Sequence, residues 1–131
     1  MREIKITSNK RNEMIDVTDK VQKIVEEEKL QNGIVIIYVP HTTAGVTINE
    51  GADYNVQRDI IETLKKLVPE NNSYHHMEGN SDAHIKASLL GSSVSVIVEN
   101  NSLILGTWQR IFFYEADGPR NRKVYFKLIK N

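Results

Sequence analysis

The sequence predicts an α+β domain, a largely antiparallel β-sheet or sandwich with two main helices. Three observations carry this reading. Segments of strand character outnumber helical ones and gather as candidate hairpins at both ends of the 131-residue chain. Two stretches, near 18–30 and 53–68, space their apolar residues along one face of a helix. No repeat, low-complexity stretch or linker interrupts the chain, so a single domain over 1–131 accounts for it.

The elements follow in order. Glu3 to Thr7 alternates charged and apolar residues, as a half-buried strand does. Asn9 to Asn12 reads as a turn and Glu13 to Val17 as the second arm of a hairpin. Thr18 can N-cap a helix, with Asp19 in its first turn favoured by the helix dipole. Val21, Ile24 and Val25 mark the apolar face, Glu26, Glu27 and Glu28 the wet one, and Asn32-Gly33 stops the helix. Ile34 to Val39 has no polar side chain before Tyr38, which predicts a central strand buried on both faces. Residues 41–50 read as a Thr-rich strand in which Ala44, Val46 and Ile48 alternate with polar positions.

Asp53 to Val68 is the clearest helix, with Val56, Ile60, Ile61, Leu64, Leu67 and Val68 forming one stripe and Pro69 ending it. Ser73 to Ala83 lacks periodicity and reads as a loop, followed by a short helix from Ala83 to Leu90 closed by Gly91. Val94 to Val98 and Leu103 to Leu105 flank a turn at Glu99-Asn100-Asn101-Ser102. Ile111 to Glu115 and Lys123 to Ile129 form the last pair around Asp117-Gly118-Pro119.

Composition narrows the function classes. Hydrophobic residues at 40% and charged residues at 26% mark a globular chain. Seventeen basic residues balance seventeen acidic ones, which argues against a nucleic-acid partner. With no cysteine, disulfides and thiolate metal sites are ruled out. No apolar run is long enough for a signal peptide or a membrane span, so a cytoplasmic protein with no membrane partner is expected.

The residues able to do chemistry are few. His41 follows Pro40 at the end of a strand, His75 and His76 open the long loop, and His84 closes it. Imidazole is both a proton-transfer group near neutral pH and a common metal ligand, although solvated loop histidines would give the same sequence. Glu50, Asp53, Asp82 and Glu115 lie at element ends, where Asp53 could equally be only a helix N-cap. Thr42, Thr43 and Thr47 surround Gly45, and Ser88, Ser92 and Ser93 surround Gly91, an arrangement that suits phosphate oxygens as well as ordinary strand and capping roles. Arg110, Arg120, Arg122 and Lys123 form the one notable basic cluster, able to bind phosphate or to stand as solvated turn residues. Trp108 could anchor a core or an interface, or stack on a flat ring.

Several of these residues fall into longer blocks. His41-Thr-Thr-Ala-Gly-Val-Thr-Ile-Asn-Glu50, with Asp53, Val56 and Asp59 after it, resembles the opening signature of the YjbQ family. Tyr74-x-His76 and Ala83-His84-Ile85-Lys86-Ala87-Ser88-Leu89-Leu90-Gly91 resemble its second block. Leu105-Gly106-Thr107-Trp108-Gln109, then Glu115 and Asp117-Gly118-Pro119-Arg120, resemble its third. There are two departures, a shorter loop between His76 and His84 and Gly51 after the Asn49-Glu50 pair.

The resemblance implies a trimeric α+β fold with a pocket lined by these blocks, and activity as a secondary thiamine-phosphate synthase. That reaction joins a pyrimidine methyl diphosphate to a thiazole phosphate and releases pyrophosphate. Under it, Glu50, Asp82 and Glu115 supply catalytic carboxylates, of which Glu50 or Asp82 would hold Mg²⁺ or orient a water. Thr43, Ser88 and Arg110 would take phosphate oxygens, and Trp108 would shape the pocket for a ring. His41, His76 and His84, the histidines inside the blocks, are expected to converge on one pocket. They would suit zinc if they share a metal, whereas a diphosphate leaving group would favour Mg²⁺. A metal-dependent hydrolase and a non-catalytic binder of a phosphorylated metabolite are the alternatives.

Overall fold

Two antiparallel sheets and three helices make up the computed structural model, which describes all of Met1–Asn131. The strands are β1 (Arg2–Thr7), β2 (Glu13–Asp16), β3 (Gly33–Tyr38), β4 (Ala44–Glu50), β5 (Ser93–Glu99), β6 (Ser102–Leu103), β7 (Gln109–Glu115) and β8 (Asn121–Lys130). The helices are α1 (Thr18–Glu27), α2 (Tyr54–Leu67) and α3 (Ser81–Leu90). The larger sheet has the order β1-β8-β3-β5-β6 and the smaller the order β2-β7-β4.

The small sheet is the middle layer. Ile111 and Phe113 of β7 and Val46 of β4 join Val35 and Ile37 of β3, Val96 and Val98 of β5, Phe126 of β8 and the buried face of α1 in the main core. Phe112 and Tyr114, one residue out of phase on β7, join Met14 and Ala83 in a second cluster against Ile60, Ile61, Leu64 and Leu90. The alternation of strand side chains thus splits β7 between two apolar layers, and Ile111 to Glu115 are all buried.

β7, then, is the strand buried on both faces, not the 34–39 segment predicted to be. Val35, Ile37 and Val39 point inward, whereas Ile34 and Tyr38 are exposed. The outer face of the large sheet has no second layer in the single chain, and apolar residues at Ile34, Tyr38, Ile97 and Ile129 meet solvent there. The terminal hairpins also divide differently. β1 pairs with β8, while β2 pairs with β7. Residues 8–12 therefore cross from one sheet to the other, and so does the Asp117-Gly118-Pro119 segment between β7 and β8. Only β5 and β6 form the expected hairpin, Val98 opposite Leu103, with Asn100 and Asn101 at positive φ in its turn.

Local chemistry explains the element ends. The Asp53 side chain accepts the Asn55 N–H at 2.9 Å and caps α2. Thr18 does not act as the N-cap of α1; its Oγ1 accepts the Ile111 N–H at 2.7 Å, and Asp16 Oδ1 takes the Thr18 N–H instead. α3 begins at Ser81, two residues earlier than the apolar pattern indicated. Gly45 permits the close approach of α3 to β4, since a Cβ there would lie 2.7 Å from the Gly91 carbonyl oxygen and 3.2 Å from Leu90 Cβ.

Candidate functional site

The sequence-predicted residues separate into three places, with Asp82 standing apart from all of them. The first is a recess of about 420 Å³ lined by Ser73, Tyr74, His75, His76, Ser81, His84 and Ile85. The loop before α3 carries His76 over the helix, and its ring meets that of His84 edge-on with centroids 5.4 Å apart. His76 Nε2 lies 3.7 Å from Glu78 Oε2. Ser88, one turn beyond His84, is exposed and donates its hydroxyl to the His84 carbonyl at 3.0 Å, a back-bond within the helix.

The second place is a buried ionic knot where β4, β7 and β8 begin or end. Glu115 is fully buried and both of its oxygens are filled. Oε1 accepts Ser8 Oγ at 2.7 Å and Arg122 Nε at 2.9 Å; Oε2 accepts the Asp117 N–H at 3.1 Å and Arg122 Nη2. Arg122 Nη2 also donates to Thr43 Oγ1 at 2.9 Å. Burial alone would raise the Glu115 pKa, but the hydrogen bonds from Arg122, Ser8 and the Asp117 amide outweigh it and hold the carboxyl below its ordinary range. Glu115 and Thr43, predicted as catalytic and phosphate-binding, are therefore occupied in holding Arg122.

His41 belongs with this knot and does not line the recess of His76 and His84. Its Nε2 accepts the Lys123 N–H at 3.0 Å, which requires a neutral ring with its proton on Nδ1. Burial, then the Arg122 charge, lower its pKa. Nowhere in the chain do three histidine, aspartate or glutamate side chains approach closely enough to share a metal ion. The three-histidine convergence is thus not formed within one chain, and only His76 and His84 meet.

The third place is the opposite end of the small sheet. Ala44 pairs with Glu115 at one end and Glu50 with Gln109 at the other. Six residues at about 3.3 Å each separate these ends by roughly 20 Å. Glu50 is half-buried there and Trp108 is 62% exposed, with the Gly51 N–H donating to the Trp108 carbonyl at 2.9 Å. Arg110 is committed to carboxylates, through Nε to Asp16 Oδ2 at 2.7 Å and through Nη2 to Asp19 Oδ1 at 3.1 Å. It offers a phosphate little unless those bonds break.

Asp82 proves to be another structural carboxylate. It is fully buried, with Lys86 Nζ at 3.0 Å on Oδ2 and Arg11 Nη2 at 2.9 Å on Oδ1. Arg11 also reaches Glu70 and Asp117, which ties the 69–72 segment, α3 and the Asp-Gly-Pro turn together. The buried Tyr114 hydroxyl has no hydrogen-bond partner, and burial together with the nearby Asp82 charge pushes it up to about 12. Sequence reasoning missed the burial of Arg122 and Lys86. Both had a signal. Arg122 shares strand phase with the inward Val124 and Phe126, and Lys86 stands four residues after Asp82 on one helix face.

Two antiparallel sheets and three helices define a small α+β domain. A family model described as "UPF0047 protein YjbQ-like" matches residues 2–131, and the chain belongs to that family. A UPF0047 protein of Methanocaldococcus jannaschii is 53% identical over 124 residues, which span 95% of this chain and 90% of that one. The UPF0047 protein YugU of Bacillus subtilis is 48% identical over 130 residues, 98% of each. Among solved structures, a YjbQ/UPF0047-family protein of Clostridium acetobutylicum superposes with a TM-score of 0.97 at 50% identity, covering 98% of this chain and 100% of that one. A protein of Sulfolobus solfataricus described as YbjQ-like and of unknown function gives 0.95 at 33% identity, covering 99% and 96%. No helix is long and apolar enough to cross a membrane.

Proposed function

We propose that this chain is a small-molecule transferase of the thiamine-phosphate synthase type, with phosphate chemistry at the His76–His84 recess. The observation that carries this is the edge-on imidazole pair, 5.4 Å between centroids, in an open recess with serine and tyrosine at its walls. In such a transfer the pyrimidine methyl carbon loses its bond to the diphosphate oxygen. The thiazole nitrogen forms the new bond to that carbon, and pyrophosphate departs. Each imidazole carries an N–H that can be donated to the oxygens on which charge develops. Two imidazoles fall short of the three protein ligands of a catalytic zinc, so the role is assigned to the rings themselves. Mg²⁺ held mainly by diphosphate oxygens is the ion to supply in the assay.

A cytoplasmic homotrimer is part of the same reading. It is supported by the uncovered apolar residues Ile34, Tyr38, Ile97 and Ile129 on the outer sheet. The balanced charge agrees with a phosphorylated small molecule as partner in place of a nucleic acid.

The test follows thiamine phosphate and pyrophosphate together in reactions of the purified chain with both substrates and Mg²⁺. Wild type should form both in equal amounts, and His84→Ala should lower the rate at least a hundredfold, in the usual range for removing an acid–base or charge-stabilising group. Inorganic phosphate without thiamine phosphate would replace this reading with a hydrolase. Saturable binding of the substrates without turnover would replace it with a metabolite-binding module.

A further inference from the structure

α3 separates two recesses. His84 lines the one already described. Asp82 and Lys86 line another, a pit of about 490 Å³ walled by the β1–β2 loop, α2 and the segment after it. Two residues along a helix turn the side chain by roughly 200°, so Lys86 faces away from His84.

We propose that this pit binds the phosphate group of a phosphomonoester with a hydroxyl-bearing body, of the sugar phosphate class. This binding does not rest on the transfer proposed at the histidine recess.

The argument is an accounting of charge. Four cations line the pit, Lys10, Arg11, Lys65 and Lys86, against two carboxylates, Glu70 and Asp82. Both carboxylates are already matched. Asp82 is held by Lys86 and Arg11, and Glu70 lies 2.9 Å from Arg11 Nε. The Arg11 charge is in turn matched, since it also reaches Asp117, although its Nε–H makes no hydrogen bond. What is left over is donors. Lys10 and Lys65 form no side-chain ion pair. Lys86 donates to Asn12 Oδ1 at 3.1 Å and to Asp82 Oδ2 at 3.0 Å, which leaves one of its three N–H groups unspent.

Lys86 is what distinguishes the pit from a patch of surface lysines. Its side chain is 1% exposed, so its ammonium group stands at the floor in a partly desolvated setting where a charge-assisted hydrogen bond is strong. Two mobile lysines at the mouth and one fixed lysine at the floor suit a compact dianion. The volume is that of a metabolite site and exceeds what bare phosphate fills. The walls choose the rest of the ligand. Ile61 is the main apolar side chain among amides and charges, which disfavours a flat apolar ring and suits hydroxyl groups that can meet Asn12 and Asn71.

The test is isothermal titration calorimetry of the full chain with fructose 6-phosphate and, separately, with fructose. The phosphate ester should bind saturably with Kd of about 1 mM or tighter, and fructose should give no saturable heat. Lys10→Ala combined with Lys65→Ala should weaken binding at least tenfold. These side chains are exposed and unpaired, so the variant keeps its fold. His84→Ala should leave the affinity unchanged. The proposal is overturned by no saturation below about 10 mM, by equal binding of fructose, by an unaffected double lysine variant, or by loss of binding in His84→Ala.

Discussion

Glu115→Gln should be among the most destabilising single changes in the molecule, although it alters one atom. Glu115 and Arg122 are both buried, and the carboxylate accepts four donors from Ser8, Arg122 and the Asp117 amide. Glutamine supplies one oxygen and turns an NH₂ toward groups that can only donate, while the Arg122 charge loses its counter-charge. Breaking a buried pair from one side costs about 3–5 kcal/mol, because the surviving charge is left uncompensated. A 131-residue chain has an unfolding entropy of about 0.28 kcal/mol/K, so the midpoint of thermal unfolding should fall by roughly 10–18 °C.

Urea unfolding followed by circular dichroism, at one fixed protein concentration, measures this directly. The pair Glu115→Leu with Arg122→Met should lose less than the two single changes combined, since no orphaned charge remains. The pH dependence has a definite sign. The folded-state pKa of Glu115 is depressed, so its contribution is complete above the ordinary carboxylate range and is lost as pH falls through the lower folded value. Glu115→Gln should therefore also flatten the acid limb. A loss below about 1 kcal/mol, the value of an exposed pair, would mean that Arg122 finds water or another partner, and the account of the knot would be wrong.

Three further outcomes follow from other parts of the structure. His41 is held neutral by burial and by Arg122, so its contribution is full above pH 6.5 and declines as pH falls toward the lower folded pKa; His41→Gln should remove that decline from denaturant midpoints measured across pH. Wild type should have the mass of the proposed trimer in light scattering and Ile97→Lys, on the uncovered face of β5, that of a monomer without loss of circular dichroism; a monomeric wild type would refute the trimer, and a variant still trimeric would move the subunit contact elsewhere. Gly45→Ala should destabilise by about 1–3 kcal/mol, read from the urea midpoint, because the new methyl meets the Gly91 carbonyl and Leu90 and must push α3 off β4.

Local pattern was enough to find nearly every strand and helix, but not to assign partners. The segments around residues 3–7 and 13–17 are adjacent and both alternate, which is also what two strands of different sheets look like. Only the long-range pairing of β1 with β8 and β2 with β7 decides, and no local pattern encodes it. Ile34 to Val39 misled for a related reason. Apolar residues on both faces signal burial on both faces, yet one face of β3 is left uncovered by a single chain. Among the site residues, the meeting of His76 and His84 follows from loop-to-helix proximity. The fates of Asp82 and Glu115 did not, because a carboxylate's role depends on whether a cation already occupies it. Arg11 comes from a distant position in the chain to occupy Asp82, and Arg122 reaches Glu115 only because the chain turns back between β7 and β8.

None of the residues of α2 is buried. Ile60, Ile61 and Leu64 are only partly buried where they pack on the Phe112–Tyr114 layer, and Val68, just past the helix, is the nearest buried anchor. Little apolar contact is lost when such a helix lifts away, so its backbone amides should exchange with deuterium through a sub-global opening well below the cost of unfolding the two sheets. Ile61 and Lys65 of this helix also form one wall of the pit. A ligand bound there would stabilise only the closed form, by RT ln(1 + [L]/Kd), and would slow exchange along α2 while leaving β3 and β8 at their own rates.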